Sequence, residues 1–307
     1  MSVKITWKDN DGSVKARGTT KSNTSGQFRY CRLDQGIEAG DVLTGKVGTI
    51  ARSLTIPRLS IRADRPQDHI VDRAPADSTV TVGVQYWMGI NPQQHRTMQV
   101  PGDGTFDVLT DGFAGGDDAF VRWRSNATSN AHRVTRWLTV PFVAVWVNRN
   151  FFYGSGRPGH KALVGMVPSG SDVPLGDATV APRPWGSFVG DFLDDDGHLV
   201  RVRAGQEIRA FDVAANAYFG VLAVTAFANP STDRVTGNCG SNSMLHYYIE
   251  AYSPSGSRYG LAVGVTGSSS AFSKDLTSRL DLRSGDTVNV QRRLGSGDQV
   301  GKMFIVP

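Results

Sequence analysis

The sequence has few of the residues and segments that identify disulfide-rich, membrane-spanning or zinc-dependent proteins. Only 2 of its 307 residues are cysteine, and Cys31 and Cys239 occupy different places in the repeats described below, so no disulfide framework is implied. No apolar run is long enough to cross a bilayer. The amino-terminal "MSVKITWKDNDG" lacks the apolar stretch of a signal peptide. We therefore expect no membrane span, and a chain that is either a processed product or not exported by that route.

Signatures of catalysis are also missing. The serines of Gly240–Met244 and Gly267–Ala271 do not match the nucleophile pattern G-x-S-x-G. The glycine-rich Gly154–Gly159 leads into a strand, where no helix terminus could hold a phosphate. Asp117 and Asp118 are adjacent, so they point apart along a strand and cannot act as a glycosidase pair. The 6 histidines have no metal-ligand spacing. We expect no enzymatic activity and no cofactor.

The charge of the chain is only mildly one-sided. Its 33 Lys and Arg face 28 Asp and Glu, which gives a net charge of +5 and a pI near 9.3. Basic clusters such as Arg201–Arg203 lie inside segments with a strand-like pattern, where charge protects exposed sheet edges from pairing with other chains. No basic helix or stacking platform is present, which argues against a nucleic-acid partner.

The sequence does contain residue patterns that are typical of strands and turns. Its 35 glycines suit a turn-rich β protein. Apolar residues alternate with polar ones, as at Val3, Ile5 and Trp7, and this period of two is typical of half-buried antiparallel strands. No sustained helical period is present, so we expect helices to be few and short.

One short sequence motif, called the repeated phrase below, occurs four times. Its phenylalanines are separated by 78, 82 and 84 residues, and each is followed by a glycine before an acidic or polar residue. We expect the phenylalanine to fill a core, the glycine to adopt positive φ, and the aspartate to bond nearby backbone N–H groups. The repeat residues are Phe28, Phe106, Phe188 and Phe272, then Gly40 with Asp41, Gly116 with Asp117, Gly205, and Gly285 with Asp286.

A period near eighty residues is the size of a small β-sandwich module. The phrases "TIPRLSI" and "TVPFVAV" end one repeat and open the next. Proline suits such a position because it cannot donate to a strand ladder. The predicted modules are 1–57, 58–141, 142–221 and 222–307.

The segments "GSGRPGHKALV" and "GDGTFDVLTDGFAGGDDAFV" resemble the tandem bacterial Ig-like repeats of surface proteins and adhesins. The pattern of those repeats reads roughly G-T-A-x-P-G-x-x-V-x-V, then D-x-x-G-x-F. The resemblance implies an all-β chain of tandem Ig-like antiparallel β-sandwich modules with an extracellular or cell-surface location. It carries no catalytic residues.

The first module departs from the pattern because it lacks its opening strand. It begins at "VKITW", which matches "VTVGV" of the second module, and no counterpart of Leu59–Pro75 precedes it. Three explanations stay open: a fragment of a longer array, a short module that is stable alone, or a gap filled by a strand from another subunit.

These observations predict a structural or adhesive subunit or segment of an extracellular fibre, filament or surface layer. Its partners would be further copies or a neighbouring surface protein, and stacked sandwiches would supply length and stiffness. The alternative is a carbohydrate-binding module array that contacts a polysaccharide. The residues predicted for an exposed contact surface are Trp185, Phe151, Phe152 and Tyr153. Ca²⁺ at Asp9–Gly12 or Asp194–Gly197 is a minor option, because neither stretch continues as a calcium loop.

Overall fold

A computed structural model describes most of the chain as β-strands. The described residues are 1–24, 37–86, 93–125, 132–183, 186–211, 217–240 and 246–307. They form 25 strands and a single 3₁₀ turn at Arg65–Gln67. Within these ranges no helix is long and apolar enough to cross a membrane. The expected all-β fold class is confirmed.

Residues 1–141 contain the first eleven strands. Residues 1–57 hold β1 (Ser2–Lys8), β2 (Val14–Lys21), β3 (Val42–Val47) and β4 (Ile50–Thr55). Residues 58–141 hold β5 (Arg62–Asp64), β6 (His69–Arg73), β7 (Thr79–Gln85), β8 (Gln94–Gln99), β9 (Thr105–Leu109), β10 (Asp118–Arg124) and β11 (Arg133–Thr139).

Residues 142–307 contain the other fourteen. The first seven are β12 (Phe142–Trp146), β13 (Phe151–Ser155), β14 (Ala162–Pro168), β15 (Gly176–Val180), β16 (Ser187–Asp191), β17 (Gln206–Phe211) and β18 (Ala217–Gly220). The last seven are β19 (Thr225–Asn229), β20 (Arg234–Asn238), β21 (His246–Tyr252), β22 (Tyr259–Val265), β23 (Ala271–Asp275), β24 (Thr287–Arg293) and β25 (Gln299–Ile305).

Three segments share one sandwich topology. In 58–141 the three-stranded sheet β5-β6-β9 accompanies the four-stranded sheet β11-β10-β7-β8. The same order recurs in β16-β13-β12 with β15-β14-β17-β18, and in β19-β20-β23 with β25-β24-β21-β22. Alternating side chains fill the space between the two sheets; Val82 of β7 lies opposite Val121 of β10, and both are buried. This strand order is that of an Ig-like sandwich.

The repeated phenylalanines lie in the strands β9, β16 and β23, and Phe106, Phe188 and Phe272 are all buried. Phe188 pairs with Gly154 and Phe272 with Gly237. A Cβ on Gly154 would lie 2.6 Å from the Phe188 ring, and a Cβ on Gly237 would lie 2.7 Å from the Phe272 ring. Each ring therefore covers a strand position that has no room for a side chain.

Phe106 differs from this pairing. Opposite Phe106 the partner is Asp72, which is not glycine and has a φ of 146°. Phe28 of the first module lies outside the described residues.

The Gly-Asp turn has one geometry in all four modules. Its glycines have φ between 85° and 93°, which L side chains rarely adopt. The next side chain accepts the N–H of the residue three positions before it, with Gln206 in the role of aspartate in the third module. These bonds run from Glu38 to Asp41 (2.9 Å), Ala114 to Asp117 (2.8 Å), Arg203 to Gln206 (2.5 Å) and Arg283 to Asp286 (2.9 Å).

The same turn binds the end of each module. In the second module Gly116 N–H donates to the Val140 carbonyl, and Val140 N–H donates to the Asp117 carbonyl. Ile56, Val221 and Val306 make the equivalent pair of bonds in the other modules. All four are buried apolar residues, and three of them precede the prolines of the boundary phrase. The two repeated phrases are therefore two halves of one contact.

The described residues of the first module form one sheet, β2-β1-β3-β4. It has the order of β8-β7-β10-β11 in the next module. The segment Leu59–Pro75, which has no counterpart before β1, contributes both β5 and β6 to the second module. The opening element of the second module is thus a two-stranded hairpin. A counterpart of β9 would fall in 25–36, outside the described residues.

The last two modules share a sheet. β12, which opens the third module, pairs in parallel with β25, which closes the fourth. The result is a seven-stranded sheet in the order β16-β13-β12-β25-β24-β21-β22. These two sandwiches lie side by side, because the strand edges of β12 and β25 satisfy each other's hydrogen bonds.

Replacing Gly237 by alanine should destabilise the fourth module. The new Cβ would press on the Phe272 ring and on the Thr225 carbonyl, and overpacking of this kind costs about 1–3 kcal/mol. Urea denaturation of the full chain measures the loss. Gly267→Ala is the control, since a Cβ there meets no atom within 4 Å; equal stability of the two variants would contradict the packing role.

Candidate functional site

The first sheet presents an apolar face. Val3, Ile5 and Trp7 point to one side of β1, and Leu43 lies opposite Trp7 on β3. In the second module the matching face of β7 is covered by β5-β6-β9. In the first module Val3 and Trp7 are 1% exposed, and a groove of about 420 Å³ lies on the same face toward β3 and β4. Its apolar lining consists of Val3, Ile5, Leu43, Val47, Ile50 and Leu54.

The open end of this groove lies along β4. Ile50 is 62% exposed, and Leu43 and Leu54 are half-buried. By strand register their counterparts in the second module are Val134, Ala119 and Leu138. Ala119 is buried, whereas Val134 and Leu138 on the edge strand are half-buried, so Ile50 is more exposed than its counterpart. Contiguous exposed apolar surface of this kind marks interaction sites in soluble proteins. The face is therefore suited to burial against a second sheet.

One corner of the same sheet is fixed by a buried carboxylate. Asp41 is 1% exposed; it accepts the Trp7 indole N–H at 2.8 Å and pairs with the Lys15 ammonium at 3.0 Å. Burial alone would raise the pKa of Asp41, but the N–H of Glu38, then Lys15 and Trp7, outweigh it and hold the pKa below its ordinary value of 3.8. The first sheet thus keeps a rigid charged anchor beside its open apolar face.

A second site is the junction at which three modules meet. The turn between β24 and β25 lies against the Gly-Asp turn of the second module, and Gly115 N–H donates to the Ser296 carbonyl at 2.9 Å. A Cβ on Gly297 would lie 2.5 Å from Gly115 Cα. The two backbones therefore touch, and only glycine fits at Gly297.

Two arginines hold this junction. Arg293 of β24 pairs with Asp117 at 2.7 Å and donates to the Gly115 carbonyl at 2.8 Å. Arg65 of the second module donates to the Pro141 carbonyl at 2.8 Å and lies 3.6 Å from Asp298. Since Asp117 and Asp298 are both buried, these charges are compensated across the module boundaries.

A polar cavity of about 530 Å³ lies beside the junction. Tyr86, Asp111, Asp117, His246 and Arg293 line it. The Tyr86 hydroxyl donates to the Gly112 carbonyl at 3.0 Å, and the Asp117 charge is taken by Arg293. Tyr86 and Asp117 are thus used in structural contacts, whereas His246 Nδ1 is buried without a hydrogen-bond partner among the described residues.

The described residues of the predicted aromatic contact surface are buried or half-buried. Phe152 is 0% exposed and packs on Phe188 and Phe192, so the prediction of an exposed surface is wrong for Phe152: strand alternation turns its ring into the core. Phe151 and Tyr153 are half-buried. Trp185 lies outside the described residues.

Phe151 and Tyr153 face the outer side of the shared sheet. Both stack near Trp146, with ring centroids at 4.9 and 5.3 Å. The Trp146 indole N–H donates to Asn289 of β24 at 2.7 Å. Burial raises the pKa of Tyr153 to about 12. This cluster joins the third and fourth modules.

The calcium candidates form hydrogen-bonded turns. Asp194, Asp196 and His198 offer ligand atoms within 4.8 Å of one another. However, the Asp194 carboxylate accepts the N–H groups of Asp196 and His198 at 3.1 and 2.8 Å. Asp9 accepts the Asp11 N–H in the same way. Calcium binding at either turn stays a prediction.

The junction was not among the predicted sites, because its residues lie far apart in the chain and Arg65 and Arg293 belong to no motif. A signal was present, since Gly297 and Asp298 repeat the Gly-Asp phrase at a turn with φ 89°.

No model of a known protein family and no curated protein matches the chain. Among solved structures, the tetra-tandem repeat in the extending region of a large adhesion protein is 14% identical; the match covers 100% of this chain and 92% of that one, with a TM-score of 0.20. The FN1–FN3 domains of chicken CNTN1 are 11% identical over 81% of this chain and 98% of that one, with a TM-score of 0.19. A Salmonella alpha-2-macroglobulin is 10% identical over 100% of this chain and 27% of that one, with a TM-score of 0.20. The Ig-like assignment rests on the strand order of this chain itself.

Acid should weaken the first sheet through Asp41. Its pKa is depressed in the folded chain, so its stabilising effect is complete above the ordinary value and is lost as pH falls through the folded value. Urea denaturation followed by tryptophan emission, from about pH 5 to pH 2, measures this loss. The Asp41→Asn variant should lose less stability over that range than the exposed control Asp195→Asn. An equal loss in both variants would argue against this role.

Removing the Arg293 charge should uncouple the second module from the fourth. Arg293→Met leaves the Asp117 carboxylate buried without its partner, which costs about 3 kcal/mol. Calorimetry of the full chain should show a new, lower transition. The double variant with Asp117→Asn should recover part of the loss; additive effects of the two substitutions would rule out direct coupling.

Proposed function

We propose that this chain is a non-enzymatic structural or adhesive segment of an extracellular assembly, and that it associates through the apolar face of its first sheet. The observation that carries the proposal is the groove along β1, β3 and β4. The face has the alternation and strand order of half a sandwich, and Ile50 is 62% exposed on it. The resemblance of the repeats to those of surface proteins and adhesins supports the extracellular location.

The chemistry of the groove defines its partner. In the second module the sheet that covers the matching face is β5-β6-β9, with β6 at its centre, so the partner that fits is an antiparallel hairpin with one apolar side. Burying apolar surface stabilises such a complex by roughly 25 cal/mol per Å². A second copy of this chain or a neighbouring surface protein can supply this hairpin.

The chain itself contains a suitable test ligand. A synthetic peptide of residues 58–75 carries the β5–β6 hairpin that accompanies the equivalent sheet of the second module. Sedimentation velocity of the full chain over a range of concentrations, with and without this peptide, reports self-association and peptide binding together. We expect concentration-dependent oligomers, or displacement of them by the peptide.

A charge in the groove should abolish the association. Ile50→Lys places an ammonium on the apolar face, and we expect affinity for the partner to fall by about tenfold or more, since a tenfold change corresponds to only 1.4 kcal/mol. Ile305→Lys is the matched control, because Ile305 is 65% exposed on another sheet. A chain that stays monomeric and ignores the peptide, or one that responds equally to both substitutions, would overturn the proposal.

A further inference from the structure

The third and fourth modules are joined by β12, the first strand of the third module, and β25, the last strand of the fourth. β12 and β25 pair in parallel, with Ala144 opposite Gln299, Val145 opposite Val300 and Trp146 opposite Gly301. Everything between these strands, residues 147–298, is a loop closed by this pair.

Contacts on both sides extend the pairing. Ahead of it, Val143 N–H donates to the Asp298 carboxylate at 2.9 Å, and Asp298 is 0% exposed. Beyond it, Val147 N–H donates to the Gly301 carbonyl at 2.9 Å. The Trp146 indole bonds to Asn289 on the next strand. Because Gly301 has no side chain, the indole can lie against it; a Cβ there would be 3.0 Å from Trp146 Cδ1.

The direction of the strands decides how they carry load. Tension along the chain reaches β12 at its amino end, after Pro141, and leaves β25 at its carboxyl end, before Pro307. In a parallel pair these two pulls are opposed along the strand axis, so the hydrogen bonds are loaded together in shear. An antiparallel pair pulled at the same two ends would open one bond at a time.

We propose that β12 and β25 form a mechanical latch, which passes tension directly between the second module and the carboxyl end of the chain and shields residues 147–298 from it. The shielded segment corresponds to roughly 50 nm of extended chain at about 3.5 Å per residue. The latch gives a mechanical character to the structural role proposed above and rests on it for its use in the organism.

The junction strengthens the latch at its loaded end. Arg65 bonds to the Pro141 carbonyl, next to the start of β12, and its second terminal nitrogen donates to the Ser296 carbonyl just before β25. The same guanidinium lies 3.6 Å from Asp298. One side chain of the second module therefore holds together the two strand ends that tension would slide apart.

Single-molecule force spectroscopy tests the latch on the full chain, tethered at its two ends. Each molecule is pulled alone, so the result does not depend on self-association or on the hairpin partner. We expect residues 147–298 to be released only after one rupture event at the highest force in the trace. Separate module-sized steps for 142–221 and 222–307, with no rupture preceding them, would overturn the proposal.

Two variants make the test specific. Asp298→Asn weakens the contacts to Val143 and Arg65, and we expect the rupture rate at constant force to rise by about tenfold or more, since charge-assisted hydrogen bonds are strong and forced unfolding follows the rupture rate. Asp281→Asn is the control, because Asp281 is an exposed carboxylate paired with Arg283 away from the latch. Equal rupture rates in the two variants would contradict a latch at β12 and β25.

A cysteine pair covers the case in which Asp298→Asn fails to fold. Ala144→Cys with Gln299→Cys places two thiols opposite each other in the register. When these are oxidised, the release of the shielded length should disappear, and a reductant should restore it. Failure of this pair to form a disulfide, or full extension while it is oxidised, would show that the two strands are not joined as proposed.

Discussion

The structure depends on one contact, which is made by an acceptor side chain that follows a glycine with positive φ. The side chain accepts the N–H of the residue three positions before it. The backbone of the same residue bonds the end of the module. Asp41, Asp117 and Asp286 make this contact, and in the third module the half-buried Gln206 replaces the carboxylate by an amide. Because a buried carboxylate is costly without partners, each aspartate also has a cation. Lys15 serves Asp41 and Arg258 serves Asp286 within their own modules, whereas Asp117 takes Arg293 from another.

The Asp117–Arg293 pair explains why the modules do not behave as independent domains. Among the described residues, Arg293 of the fourth module pairs with Asp117, and Asp298 is bonded by Val143 and lies beside Arg65. Folding of the second, third and fourth modules is therefore coupled at one point. The first module keeps its own anchor at Lys15 and Trp7, so its open apolar face stays attached to a stable sheet.

The sandwiches could be predicted from local signals. Alternation at Val80, Val82 and Val84, the phenylalanine period and the Gly-Asp turns depend on residues near each other in sequence, and each has one physical reading. The side-by-side arrangement could not be predicted, because nothing near Ala144 indicates that Gln299 is its neighbour. The aromatic run at Phe151–Tyr153 misled for a related reason: alternation determines that Phe152 points inward, but only the shared sheet explains why Tyr153 is covered.

The contact between Gly115 and Gly297 has a consequence for how such a chain evolves. Tandem arrays commonly gain, lose and exchange copies by recombination, since each copy carries its own fold. Here the fourth copy has a turn shaped to touch the backbone of the second, and the third contributes the strand that lies beside it. Deleting or shuffling any one of these three copies would break contacts made by the others, so recombination that exchanges single copies is costlier here than in a simple repeat array.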